Sequence, residues 1–133
     1  MPHNSVPATP TAASAPSAAF DALALLDTEA FLARLLAQQT SFGELAVVSS
    51  FGAESAVLLH LVATLNPETR VVFLDTGFHF PETLSYRDEL IARLGLQGAQ
   101  TIGIDPLSKK RYDEAGTLHQ VDPDRCCAVR KVQ

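Results

Sequence analysis

The chain has no tryptophan, one methionine, two tyrosines and only two cysteines in 133 residues. Few aromatics predict a core built from aliphatic side chains. Two cysteines are too few for a disulfide framework, and their scarcity fits a reducing, cytoplasmic setting. Basic residues are also sparse: 10 stand against 15 acidic ones, for a net charge of −5, which argues against general nucleic-acid binding. No apolar run reaches the roughly 18 residues of a membrane-spanning helix, so no membrane association is expected. Residues 1–19 hold no Lys or Arg and no long apolar block. They resemble neither a secretory signal nor a transit peptide, and their Pro, Ala, Ser and Thr content predicts a disordered tail.

What is present is 47% hydrophobic, enough for one modest core and a single domain after that tail. Charge is unevenly spread. Residues 1–108 carry 4 basic and 11 acidic side chains, whereas residues 109–133 carry 6 and 4. The basic end is where an anion could be gripped, although a short run such as Lys109-Lys110-Arg111 also suits a solvated, frayed end.

Apolar periodicity predicts short helices over Phe20–Leu26 and Thr28–Gln38, the second capped by Asp27 or Thr28 and packed on a sheet edge. A strand is expected over Leu45–Ser49, then a small, hydroxyl-rich turn, then a helix over Glu54–Leu65 stopped by Asn66-Pro67. A second strand, Arg70–Asp75, is apolar enough to be buried on both faces of a parallel sheet. Pro81 opens a helix that Gly95 closes, and Ala99–Ile104 reads as a third strand ending in Asp105-Pro106. Alternating strands and helices predict an α/β fold with a parallel sheet and flanking helices.

Ligands in such sheets sit beyond the carboxyl ends of the strands. Ser49–Ser55, Asp75–Gly77 and Asp105 are therefore expected to converge on one crevice. In the first stretch, Ser49, Ser50 and Ser55 offer hydroxyls, Gly52 permits a tight turn, and the opening helix offers unpaired N–H groups to phosphate or sulfate. The same pattern also serves as a plain packing turn. Asp75 suits a ribose hydroxyl, a metal or an amide, or simply caps its loop. His79 lies in the crevice loop; His60 reads as a packed or edge residue.

The adjacent Cys126 and Cys127 are ill-suited to a mutual disulfide. Arg125, Arg130 and Lys131 around them favour the thiolate, the form that binds metal. A pair supplies half of a tetrathiolate site for zinc or an iron–sulfur cluster; two buried small hydrophobes are the other reading.

Three stretches together carry a family resemblance. Ser49-Ser50-Phe51-Gly52-Ala53-Glu54-Ser55, Leu74-Asp75-Thr76-Gly77-Phe78-His79-Phe80-Pro81-Glu82-Thr83 and Arg125-Cys126-Cys127-Ala128-Val129-Arg130-Lys131-Val132 resemble successive motifs of the assimilatory sulfonucleotide reductases. That resemblance implies an adenine-nucleotide α-hydrolase-like fold over residues 20–133 and reduction of adenylyl sulfate, or its 3′-phosphorylated form, to sulfite and AMP with thioredoxin. It implies that Ser49, Ser50, Phe51, Gly52, Ala53, Glu54 and Ser55, with Asp75, Thr76 and Gly77, bind the nucleotide. Arg130 and Lys131 would contact the sulfate or phosphate end, and Cys126 and Cys127 would be two ligands of a 4Fe–4S cluster.

Phe51 and Glu54 replace a Gly and an Asp of the related ATP-pyrophosphatase loop. Bulk at that point is expected to disfavour ATP cleavage. The family's second cysteine pair and its nucleophilic cysteine have no counterpart here, so the chain is expected to be an inactive N-terminal portion of such an enzyme. A non-catalytic adenine-nucleotide-binding module is the alternative. So is a protein like the small subunit of sulfate adenylyltransferase, which shares the Asp-Thr-Gly and Phe-Pro-Glu elements.

Overall fold

The computed structural model describes residues 25–37 and 43–132. The predicted tail and most of the predicted Phe20–Leu26 helix lie outside the described residues; Leu25 and Leu26 themselves form a turn. Helix α1 spans Thr28–Ala37, with Asp27 Oδ1 accepting the Ala30 N–H at 2.8 Å. It buries no residue and packs on the following helix.

Strand β1 (Ala46–Val48), helix α2 (Ser55–Leu65), strand β2 (Arg70–Asp75), helix α3 (Pro81–Leu94) and strand β3 (Ala99–Gly103) follow in alternation. The sheet order is β1-β2-β3, all parallel, with Val47 opposite Val71 and Val71 opposite Ala99. This is the predicted α/β fold with a parallel sheet and flanking helices. Pro81 at the start of α3 forgoes an N–H that would have no partner, and Gly95 ends the helix in the left-handed region at φ 68°.

β2 is central, and its Val71, Val72 and Phe73 are buried as its unbroken apolar run requires. Leu59 from α2, Leu90 from α3 and Leu96 close over Val71 and Phe73. Contrary to the expected aliphatic core, the two largest fully buried side chains are Phe51 and Phe73. Two rings placed at the centre fill what a scarcity of aromatics had suggested would be left to Leu and Val. Along β3, Gln100–Gly103 are exposed.

Three helices complete the described chain: α4 (Pro106–Tyr112), α5 (Leu118–Val121) and α6 (Pro123–Lys131). Two of them start alike. Asp105 accepts the Ser108 N–H at 2.9 Å with Pro106 next, and Asp122 accepts the Arg125 N–H at 3.0 Å with Pro123 next. An Asp cap followed by a proline at the first helical position is a start signal that the sequence displays twice. Asp105 thus caps a helix and lines neither of the cavities at the strand ends.

Candidate functional site

The turn after β1 is fixed by Ser49. Its N–H continues the sheet to the Val72 carbonyl at 3.0 Å, and its buried Oγ accepts the Phe51 N–H at 3.0 Å. Phe51 takes the left-handed conformation, φ 57°, whereas Gly52 does not have a positive φ. The tight turn expected of Gly52 is therefore made by Phe51. A non-glycine residue there carries strain of about 1–3 kcal/mol, and burial of its ring offsets it.

The Phe51 side chain is 2% exposed and points into the core. The ring expected to add bulk to the loop is therefore taken up by the core. Gly52, Ala53 and Glu54 are exposed, and among the described residues their N–H groups have no backbone partner. Ser55 and Ala56 donate back to Gly52 at 3.0 Å and Ala53 at 3.3 Å. Three consecutive amides and the exposed Ser50 hydroxyl thus form the donor set of this loop.

At the end of β2, Asp75 Oδ1 accepts the Gly77 N–H at 2.8 Å, and Gly77 has φ 76°. One carboxylate oxygen of Asp75 therefore caps the loop and the other is free of that duty. His79 Nε2 donates to the Leu74 carbonyl at 3.1 Å, and its ring packs on Phe73 with centroids 4.8 Å apart. The carbonyl can only accept, so Nε2 holds the proton. His60 is exposed on α2.

Two cavities open at these strand ends. One, of about 270 Å³, lies among Val48, Ser49, Ser50, Phe73, Leu74, Thr76, His79 and Lys131. The other, of about 450 Å³, is lined by Thr76, Phe78, His119, Pro123, Cys126, Cys127, Arg130 and Lys131. Thr76 and Lys131 border both, so the serine turn and the cysteine helix share one groove.

Helical spacing sorts the side chains of α6. Cys126, Val129 and Arg130 form a buried stripe, while Cys127 and Lys131, four apart, are exposed. Arg130, expected to contact the anion, is instead occupied by the chain itself. Its Nη2 donates to Asp113, its Nη1 donates to the Thr76 carbonyl at 2.7 Å, and its guanidinium lies 4.5 Å from the centre of the Phe78 ring. Among the described residues its Nε is buried without a hydrogen-bond partner. Lys131 is exposed and borders both cavities.

Asp113 was not legible as a site residue: it lies between helices with no motif around it. It is 5% exposed, and the hydrogen bond from Arg130, followed by the Leu118 N–H at 2.9 Å, holds its carboxyl below the ordinary 3.8. Phe78 and His119, in tilted contact with centroids 4.4 Å apart, also line the larger cavity, and no local motif pairs them.

Both cysteines are free thiols, one buried and one exposed. A 4Fe–4S cluster takes four thiolates. Among the described residues no group of three or more His, Cys, Asp or Glu could hold a metal ion. These residues by themselves do not fit a cluster; they offer half of a ligand set.

The described residues thus form a three-stranded parallel α/β sheet with a donor-rich turn at its carboxyl end. The profile of the phosphoadenosine phosphosulfate reductase domain matches residues 44–133, and the chain belongs to that family. It is 50% identical over 97 residues to an adenosine 5′-phosphosulfate reductase of Mesorhizobium japonicum, covering 73% of this chain and 38% of the relative. It is 47% identical over 91 residues to the enzyme of that name from a Chelativorans species, covering 68% and 37%. A phosphoadenosine 5′-phosphosulfate reductase of Gloeobacter violaceus is 41% identical over 96 residues, covering 69% and 39%. The chain thus spans under two fifths of the length of these relatives. Among the described residues no helix is long and apolar enough to cross a membrane.

Proposed function

We propose that the groove binds adenylyl sulfate, as part of a thioredoxin-dependent reduction to sulfite and AMP in sulfate assimilation in the cytoplasm. The observation that carries this reading is the meeting of the two cavities at Thr76 and Lys131. In this reading the amides of Gly52, Ala53 and Glu54 take the nucleotide phosphate and Lys131 takes the sulfate end. Ser50 and the free oxygen of Asp75 are within the same strand-end region and suit the phosphate and a ribose hydroxyl. Two of the relatives at 47% identity or more are named for adenosine 5′-phosphosulfate, which favours that substrate over the 3′-phosphorylated one.

In this reading Cys126 and Cys127 provide two of four thiolate ligands to a cluster that other residues complete. The thiol that attacks sulfur is then a further cysteine outside those four ligands, and the 133-residue chain alone binds nucleotide weakly and without turnover.

Lys131→Ala tests the groove. Adenylyl sulfate affinity, measured by isothermal titration, falls about tenfold while AMP affinity changes little, because AMP lacks the sulfate that the ammonium meets. Equal losses for the two ligands would remove Lys131 from the sulfate end and overturn this reading of the groove.

A further inference from the structure

Helix α6 carries both cysteines and Lys131, yet only Cys126, Val129 and Arg130 are buried along it. Besides that short apolar stripe and its packing on α5, the helix is tied down by the polar contacts of Arg130. Nη2 reaches Asp113, Nη1 reaches the Thr76 carbonyl at 2.7 Å, and Phe78 lies against the guanidinium plane at 4.5 Å. Asp113 is itself immobilised. Its Oδ1 accepts the Leu118 N–H at 2.9 Å, and its own N–H donates to the Lys109 carbonyl at 2.8 Å. The carboxylate therefore joins the end of α4, the start of α5 and the inner face of α6.

Both partners are buried, at 5% and 7% exposure. A buried ion pair contributes directional specificity more dependably than net stability. Thr76, which receives the second Arg130 bond, is also one of the two residues that border both cavities. The clasp thus ends on the groove itself.

We propose that Asp113, acting through Arg130, is a positioning residue that sets α6, and with it the cysteine pair and Lys131, over the groove. The value of that placement for nucleotide binding rests on the function proposed above; the placement itself does not.

The experiment uses the 133-residue chain with Cys127→Ser, so that Cys126 is the sole thiol. Its reaction with a disulfide reagent is timed alongside amide exchange of Val71–Phe73. Asp113→Asn releases α6, and Cys126 reacts about tenfold faster or more while exchange in β2 stays within about twofold. Arg130→Lys keeps the charge but cannot bridge Asp113 and Thr76 together; it gives the same result and decides the matter if the Asn variant does not fold. Unchanged Cys126 reactivity, or equal acceleration in β2, overturns the inference.

Titrations with AMP and adenylyl sulfate separate the two claims. If Lys131→Ala leaves their affinity ratio unchanged, the functional reading falls and the thiol rates alone decide the clasp. If Lys131→Ala lowers the ratio but Asp113→Asn, with Cys126 released, does not, Asp113 does not position the groove.

Discussion

The ring of Phe51 meets the ring of Phe73 edge-on, centroids 5.8 Å apart at 74°. That contact anchors the donor-bearing turn to the central strand, because the same residue that makes the left-handed turn fills the core. Phe51→Ala is expected to cost about 3–5 kcal/mol through lost burial and an unfilled cavity. Urea unfolding checks it, and a loss below about 1 kcal/mol would mean the ring is not buried as described.

Gly98 packs against backbone. A methyl group there would meet the carbonyl oxygens of Thr69 and Glu68, neither of which can swing away as a side-chain end could. Gly98→Ala should lower stability by about 1–3 kcal/mol despite adding only one carbon. An unchanged urea midpoint would show that the turn before β3 relaxes without cost.

Acid should act through Asp113. Arg130 and the Leu118 N–H hold its carboxyl below the ordinary value, against the opposing effect of burial. A carboxyl lowered in the folded state stabilises above its unfolded pKa, and that contribution is lost as pH falls through the folded value. Wild type therefore loses stability more steeply than Asp113→Asn below pH 3.8, and the two converge at lower pH. Parallel urea midpoints for the two from about pH 7 to about pH 2 would show no such contribution.

The cysteines should separate by burial. Cys126→Ser places a hydroxyl in an apolar setting and costs about 1–3 kcal/mol, whereas Cys127→Ser, at an exposed position, stays within about 0.5 kcal/mol. Any iron copurifying with the protein should be absent from the double variant; iron kept at full occupancy would remove the pair as ligands. Thermal unfolding and metal analysis read the two effects independently.

Much of the α/β order lies in local sequence. The apolar run Val71–Leu74, Pro81 and Gly95 each act through their own backbone or their immediate neighbours, so strand β2 and the ends of α3 are readable without a fold. The two Asp-Pro helix starts were equally local, though the helices behind them are too short and polar to show a clear apolar period.

Of the motif residues, Ser49, Ser50, Thr76, Cys126, Cys127, Arg130 and Lys131 line the two cavities, whereas Gly52, Ala53, Glu54, Ser55, Asp75 and Gly77 line neither. What the motifs could not tell is which of two neighbouring side chains turns inward. Phe51 enters the core while Gly52 faces solvent, and Arg130 is buried while Lys131 is open. Those outcomes depend on partners far along the chain: Phe73 for Phe51, and Asp113 and Thr76 for Arg130. A composition and its periodicity determine which segments can bury themselves. Only the packed sheet and helices decide which donors are already spent on the protein and which remain for a ligand.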